Sequence, residues 1–314
     1  MKRLLCCTYL SAFFAVAPFA FAASKREVAI TVDDLPFAQS GPRACGFGGL
    51  QIQTLHLLEQ FLRQKAPITA FVVAGNCPDL TDDDRRTVLK LWQDAGAELG
   101  SHTYSHLDLS KEDPSVFEAD IVKADGALRP VLGGRPLRYF RYPMLHLGPT
   151  PEIKARVARF IASRGYTNAP VTFDNSDWMF ANVYASALAT GNMELMAHVK
   201  DEYVHYMETV VDFFEQRTLE VVGHEIPQIL LMHANRLNAD LATDLLTMLK
   251  RRGYRFTTLE QALKDPVYQS PENYVGTNGI SWIHRWSMTK GMPDKSEPQE
   301  PRWLQLEFQK IPKE

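Results

Sequence analysis

The sequence predicts an α/β fold in which repeated βα units build a parallel sheet. Short apolar runs rich in Val, Ile and Phe alternate with segments whose apolar residues recur at helical spacing. Gly96, Gly165 and Gly253 each precede an apolar run and fit helix C-terminal caps. The chain has 314 residues, 45% hydrophobic and 23% charged, which suffices for one large core, and α/β barrels of this size form single domains. We therefore expect one catalytic domain.

Seven segments have the composition of buried strands, and they are 28–32, 68–74, 97–100, 137–141, 167–173, 228–232 and 254–258. Helical periodicity is found between them at 50–63, 85–95, 115–132, 153–164 and 239–252. A longer helical insertion covers about 183–220, and its apolar face indicates packing rather than a cofactor site. We assign residues 23–265 to the catalytic domain and residues 266–314, with Trp282, Trp286 and Trp303, to a C-terminal extension packed on it.

The first 22 residues have the pattern of a secretory signal peptide. Lys2 and Arg3 precede an apolar stretch at 4–19, and Ala20-Phe21-Ala22 is a small-residue cleavage site. The apolar stretch is too short to span a bilayer and contains Pro18. We therefore expect a secreted or periplasmic protein with no stable membrane span after cleavage.

Four cysteines are present, and Cys6 and Cys7 would leave with the signal peptide. The remaining pair, Cys45 and Cys77, would meet an oxidising compartment, where a structural disulfide is favoured. Two separate thiols are the alternative, because the sequence does not show whether the two Cα atoms lie close enough to bridge.

Two adjacent carboxylates, Asp33 and Asp34, end a predicted buried strand in AITVDDLP. Two ionised carboxylates repel each other and are costly to bury unless something compensates their charge. A divalent cation is a natural compensation, and an aspartate pair that caps a turn is the alternative.

Two histidines, His102 and His106, lie four residues apart in GSHTYSHLDLS, so that on a helical turn both imidazoles would share one face. Two histidines and one carboxylate form a metal-binding triad that leaves positions open for water and substrate. Histidines at this spacing also occur by chance on helix surfaces. Together with the strand-terminal carboxylates, the spacing favours a metal site held by Asp34, His102 and His106.

Three further polar motifs follow later predicted strands: RYP at 141–143, DNSDW at 174–178 and the histidine of ILLMHAN. In a parallel barrel, residues just after the strands converge on the C-terminal face, where such enzymes place their active sites. Each motif alone has an ordinary explanation, with Arg141 as a surface charge, Trp178 as core filler and His233 as a buried, hydrogen-bonded histidine. Their shared position after strands predicts one common site.

These residues resemble the polysaccharide deacetylase family with the NodB homology domain, which is carbohydrate esterase family 4. The motifs of that family are, in order, T-F-D-D, H-S/T-x-x-H, R-x-P-Y, D-x-x-D-W and L-x-H. This chain has TVDD at 31–34, HTYSH at 102–106, RYPM at 141–144, DNSDW at 174–178 and LMH at 231–233. The resemblance implies a distorted (β/α) barrel, similar to a TIM barrel but with fewer than eight strands, in agreement with the seven strands predicted here.

By the same resemblance, Asp34, His102 and His106 would bind a divalent metal, with zinc expected and Co²⁺, Ni²⁺ or Mn²⁺ as alternatives. Asp33 would be the general base and His233 the general acid. The remaining roles would fall to residues of the later motifs. Arg141 would orient the base, Asp177 would set the charge around Arg141 and His233, the backbone N–H of Met144 would stabilise the oxyanion, and Tyr142, Met144, Trp178 and Leu231 would contact the substrate.

Two residues depart from the family motifs. Met144 replaces the tyrosine, which leaves the backbone donor but removes a hydroxyl from the substrate-facing surface, and Val32 replaces a phenylalanine in the core. Substrate preference is therefore only weakly implied.

The leading interpretation is a hydrolase that removes acetyl groups from N-acetylated or O-acetylated glycans. One alternative is a metal-dependent hydrolase of a small amide or cyclic imide, because Met144 and the insertion suggest a narrower site. Another is a non-catalytic glycan-binding protein, which would not need Asp33 or His233. A metal-free glycosidase is excluded because adjacent carboxylates cannot flank a glycosidic bond. The net charge of −3 and the absence of a basic, aromatic-rich patch exclude a typical nucleic-acid partner.

Overall fold

The computed structural model describes residues 26–38 and 45–312, so the predicted signal peptide lies outside the described residues. Within these residues the sheet has seven strands, all paired in parallel. In chain order they are β1 (Glu27–Leu35), β2 (Ile68–Val72), β3 (Glu98–Ser101), β4 (Tyr139–Phe140), β5 (Thr167–Asn168), β6 (Gln228–His233) and β7 (Arg255–Thr257). The predicted α/β fold class and its seven strands are thus confirmed.

The strand order is β5-β4-β3-β2-β1-β6, and β7 also pairs with β1. The chain after β5 crosses from β4 to β6 and curls the sheet into a distorted barrel. Ala169 N–H donates to the Phe140 carbonyl (2.8 Å), and Thr172 N–H donates to the Ile229 carbonyl (3.0 Å). Pro170 lies between them and has no N–H, which explains why β5 is shorter than the predicted strand at 167–173.

Helices cover the outside of the sheet. They are α1 (Phe47–Gln64), α2 (Asp82–Asp94), α3 (Pro114–Leu132), α4 (Pro151–Ser163), α5 (Asp177–Thr190), α6 (Met193–Val222), α7 (Arg236–Arg251), α8 (Leu259–Ala262), α9 (Trp282–Thr289) and α10 (Arg302–Gln309). Several begin at a polar cap that the sequence supplies. Thr81 forms a capping box with Asp84, and the Asn235 side chain accepts from the Asn238 N–H at 2.8 Å.

The helical insertion consists of two helices, α5 and α6, separated at Gly191 and Asn192. Its apolar face is buried in the main core, including Tyr203, Met207 and Phe214. The extension after residue 265 packs on the same core through Trp282 and Trp286, which are 7% and 2% exposed. Among the described helices, none combines the length and the hydropathy needed to cross a membrane.

Candidate metal and catalytic site

The carboxyl ends of β1, β3 and β6 meet at a cavity of about 510 Å³. Parallel strands place the residues that follow them at one edge of the sheet, which is why distant motifs converge there. The residues that line the cavity include Asp33, Asp34, His102, His106, Met144, Trp178, Leu231 and His233. The structure therefore brings together most of the residues that the sequence singled out.

Asp34, His102 and His106 form a compact cluster in which one possible ligand atom from each lies within 4.8 Å of the others. The Nε2 atoms of His102 and His106 lie 3.5 Å and 3.3 Å from Asp34 Oδ1. That oxygen is buried and has no hydrogen-bond partner among the described residues. A buried, unpaired carboxylate oxygen that faces two imidazole nitrogens fits a divalent cation, which would satisfy all three groups.

The environment of His102 prepares it as a neutral ligand. Its Nδ1–H donates to the Arg141 carbonyl at 2.7 Å, which leaves the Nε2 lone pair facing Asp34. Burial lowers the pKa of His102 to about 4, and this outweighs the nearby carboxylates, which act in the opposite direction. The imidazole is therefore unprotonated at neutral pH, as metal binding requires.

The two histidines do not lie on a helical turn, which corrects the geometry predicted from their spacing. Residues 102–106 form a loop after β3, in which Thr103 and His106 adopt left-handed φ angles of 68° and 55°. The carboxylate of Asp120 on α3 accepts the N–H groups of Tyr104 (2.9 Å) and Ser105 (2.8 Å). This contact with α3 fixes the conformation of the loop. The spacing of the two histidines in the sequence could not reveal it.

Asp33 is buried and bound to a buried guanidinium. Arg141 Nη1 donates to Asp33 Oδ1 at 2.9 Å and to Thr31 Oγ1 at 2.7 Å. The same guanidinium lies 4.4 Å from the centre of the Phe71 ring and is fully buried, so its burial lowers the pKa of Arg141. Arg141 therefore holds one Asp33 oxygen, while Oδ2 lies 3.8 Å from His102 Nε2.

His233 and Asp177 form a second buried pair. His233 Nδ1 donates to Asp177 Oδ1 at 2.5 Å, and the His233 N–H donates to Asp177 Oδ2 at 2.9 Å. Burial disfavours the imidazolium, but the Asp177 carboxylate outweighs that effect and raises the pKa of His233 to about 10. Asp177 Oδ2 also accepts from Asn238 Nδ2 at 2.7 Å. The charges of Asp33 and Asp174 act on Arg141 and oppose the effect of its burial on its pKa.

The loop that carries Met144 runs along one side of the cavity. Met144 and Leu145 have φ angles of 53° and 56°, a left-handed conformation that side chains with a Cβ rarely adopt. Such residues persist where surrounding contacts fix them, and they concentrate at functional sites. Met144 is 41% exposed and lines the cavity.

Tyr142 does not line the cavity, although the sequence predicted substrate contact. Its ring is buried and packs on Phe117 and Phe140, at ring-centre distances of 6.2 Å and 5.0 Å. This burial raises the pKa of the Tyr142 phenol. The alternation of a strand end explains the error, because neighbouring residues there point in opposite directions.

Two residues around the cavity were missed from the sequence, Gly279 and Glu297, and both come from the C-terminal extension. Asp174, which begins the DNSDW motif, lines the cavity as well. Burial raises the pKa values of the Asp174 and Glu297 carboxyl groups, and the charge of Asp174 raises the pKa of Glu297 further. His146 also lines the cavity, with its Nδ1 donating to Asp108 Oδ1 at 2.6 Å. Asp120, which binds the loop at 102–106, was also missed, although an acid among the buried residues of α3 is a usable signal.

A second groove, of about 410 Å³, adjoins Asp34 and His106 and is also lined by Phe37, Asn76 and Tyr104. Cys45 and Cys77 form a disulfide next to it, with an S–S distance of 2.06 Å. Cys77 packs with Phe37 in a small apolar cluster. The bridge therefore ties the chain before α1 to the loop that forms one wall of this groove.

Comparisons with known proteins found similarity to polysaccharide deacetylases. A family model for polysaccharide deacetylase matches residues 22–169. A chitin deacetylase from Arthroderma benhamiae is 27% identical over 242 residues, 76% of this chain and 52% of that protein. A probable peptidoglycan-N-acetylglucosamine deacetylase from the same organism is 27% identical over 250 residues, 77% of this chain and 45% of that protein. A solved CE4 family pseudoenzyme from Bacillus anthracis is 16% identical at a TM-score of 0.48, covering 76% of this chain and 66% of that one.

The chain spans about half the length of the curated relatives it matches. The region matched by the family model contains the three clustered residues Asp34, His102 and His106, together with the Asp33 and Arg141 pair. This part of the chain is therefore similar to the polysaccharide deacetylase family.

Proposed function

We propose that this protein is a metal-dependent hydrolase that removes acetyl groups from N-acetylated or O-acetylated glycans. One observation carries the proposal: the Asp34, His102 and His106 cluster shares a single cavity with a candidate base, Asp33, and a candidate acid, His233. The family supports acetyl removal from glycans. The predicted signal peptide, which lies outside the described residues, supports secretion or export to the periplasm as part of the same proposal.

We assign the cation to Asp34, His102 and His106. Two imidazole nitrogens and one carboxylate suit Zn²⁺, with Co²⁺, Ni²⁺ or Mn²⁺ as alternatives. When bound, such a cation supplies a Lewis acid that acidifies water and polarises a carbonyl oxygen.

Asp33 is assigned as the general base. Its Oδ1 is held by Arg141, so Oδ2 is the oxygen placed to accept a proton from the attacking water. The guanidinium keeps the carboxylate in one orientation, and this restricts the geometry of proton transfer.

His233 is assigned as the general acid. Its Nδ1–H is bound to Asp177, so Nε2–H is the group that can donate to the leaving nitrogen or oxygen. The raised pKa of His233 keeps the imidazole protonated at neutral pH. The backbone N–H of Met144 is assigned to the oxyanion, and Trp178 and Leu231 to the walls around the acetyl group.

A small amide or cyclic imide is a second candidate substrate. A cavity of about 510 Å³, walled on one side by Gly279 and Glu297, is of a size that fits a compact ligand. The groove beside Asp34 and His106 instead favours a longer substrate that extends past the cluster. A panel of acetylated chitooligosaccharides, peptidoglycan fragments, acetylxylan, small amides and cyclic imides distinguishes the two.

The test combines metal analysis with acetate release. We expect about one divalent ion per chain, loss of activity on chelation, and recovery when Zn²⁺ is restored. Absence of both metal and product on every substrate in the panel would refute the proposal.

Asp33→Asn tests the base directly. We expect a decrease in kcat of at least about 100-fold with metal content unchanged, because the amide cannot accept the proton. Asp125→Asn is a matched control, since Asp125 is also a buried carboxylate bound to an arginine, Arg164, but does not line the cavity. Retained turnover in Asp33→Asn, or an equal loss in both variants, contradicts the assignment.

A further inference from the structure

The C-terminal extension, which lies beyond the part of the chain matched by the family model, touches the loop at 143–146 directly. Arg285 on α9 is 1% exposed, and its Nη2 donates to the Leu145 carbonyl at 2.7 Å. A buried guanidinium that donates to a backbone carbonyl is costly to move, because the charge would lose its partner. The contact therefore restrains the loop strongly.

Arg285 is itself fixed from several sides. Its Nε donates to the Ile280 carbonyl at 3.0 Å, and its guanidinium lies 4.7 Å and 4.9 Å from the centres of the Trp282 and Tyr274 rings. Glu272 supplies a carboxylate 3.5 Å from Nη1. The arginine thus connects a rigid part of the extension to the loop.

Gly279 contacts the same loop at a second point. A Cβ at this position would lie 1.8 Å from the Met144 carbonyl oxygen and 3.3 Å from His146 Cδ2. Only a residue without a side chain permits this approach. The extension therefore contacts the loop at consecutive residues, through packing on Met144 and a hydrogen bond to Leu145.

The loop needs such support because Met144 and Leu145 are both left-handed at φ 53° and 56°. Within the loop, Leu145 N–H donates to the Tyr142 carbonyl and His146 N–H to the Pro143 carbonyl, each at 3.0 Å. The left-handed conformation is unfavourable for two consecutive residues with side chains, and two short turns alone do not offset this cost. The contacts from outside the loop are what make this conformation stable.

We propose that Arg285 and Gly279 are positioning residues for catalysis: they hold the Met144–Leu145 backbone in its left-handed conformation. The effect on catalysis rests on the proposed function, in which the Met144 N–H stabilises the oxyanion. The C-terminal extension is then part of the catalytic apparatus, although none of its residues needs to touch the reacting atoms.

Arg285→Gln tests the proposal, with Arg217→Gln as the matched control. Arg217 is also buried and binds the same extension, through Ser287 and the Pro293 carbonyl, but does not contact the loop. We expect kcat to decrease about 10- to 100-fold in Arg285→Gln, with KM changed less than about twofold, because an oxyanion donor acts in the transition state. We expect Arg217→Gln to keep kcat within about threefold. An equal loss in both variants, or a loss through KM alone, overturns the proposal.

Amide hydrogen exchange supplies a readout that does not depend on activity. The Leu145 and His146 amides should exchange at least about tenfold faster in Arg285→Gln than in wild type, and nearly as in wild type in Arg217→Gln. If wild-type protein released no acetate, the proposed function would fail, whereas this exchange comparison would still decide whether Arg285 holds the loop.

Gly279→Ala changes the second contact with the loop, the one at Met144. It tests the proposal independently if Arg285→Gln does not fold. It should lower kcat by a similar factor, because the added methyl group displaces the Met144 carbonyl. Unchanged kcat and unchanged exchange at Leu145 in this variant refute the proposal.

Discussion

Asp177→Asn should shift the alkaline limb of the pH–activity profile toward lower pH. Asp177 accepts from both His233 Nδ1 and the His233 backbone N–H, so asparagine can keep a hydrogen bond while losing the charge. The carboxylate favours the protonated imidazole and is the largest contribution that raises the pKa of His233 to about 10. Removing that charge should therefore lower the pKa.

The size of the shift follows from the separation of the charges. Two unit charges about 4 Å apart attract by about 4 kcal/mol at an effective dielectric constant of about 20. Since one pKa unit corresponds to about 1.4 kcal/mol, the pKa of His233 should fall by about three units. With its raised pKa, the His233 imidazole is protonated at every pH below that pKa and can act as the acid. It loses this proton as the pH rises through the pKa. The alkaline limb should therefore move from the region of pH 10 toward pH 7.

A bound cation would offset the smaller contributions of Asp34 and Asp33, so the wild-type limb should lie somewhat below pH 10. The assay is kcat for acetate release against pH, on a substrate whose own amide does not titrate. Asp240→Asn is the control, because Asp240 lies on α7 and binds Tyr184 rather than His233. An alkaline limb that stays in place in Asp177→Asn would exclude His233 as the titrating acid.

Three further variants test the support of the site and of the fold. Asp120→Ala should weaken metal affinity about 10- to 100-fold, because the loop with both histidines loses its two hydrogen bonds to this carboxylate. Calorimetric titration with zinc measures this affinity. An unchanged affinity would contradict the proposal that Asp120 holds the loop for metal binding. Phe214→Ala should lower the free energy of unfolding by about 3–5 kcal/mol with kcat nearly unchanged at low temperature, since the ring is fully buried away from the cavity. A double change of Cys45 and Cys77 to serine should cost about 2–4 kcal/mol in denaturant unfolding, and reducing agent should then have no further effect.

The sequence was most informative where chemistry and position coincide along one segment. Apolar runs predicted the seven strands, and polar residues directly after β1, β3 and β6 predicted the cluster because parallel strands end at a common edge. The local sequence pattern gives Asp33 and Asp34 the same environment, since both are adjacent carboxylates at the end of one strand. The structure separates them, since Arg141 holds one and two histidines face the other.

Contacts between distant segments could not be predicted from the pattern. The left-handed loop at 102–106 depends on Asp120, and the loop at 143–146 depends on Gly279 and Arg285. Neither dependence leaves a local signal, because a glycine or arginine far along the chain has many ordinary uses. Tyr142 shows the converse problem, in which a residue inside a motif points into the core.

Arg141 has a second structural role at the crossing from β5 to β6. Its Nε and Nη2 donate to the carbonyls of Ala169 and Pro170 at 3.2 Å and 3.3 Å, where the proline has no N–H to offer a neighbouring strand. The guanidinium that orients Asp33 also binds the chain at 169–170, where regular strand pairing stops. A change at Arg141 would thus remove contacts at this crossing and release the Asp33 carboxylate together, so its kinetic effect would not report on the proposed proton transfer alone.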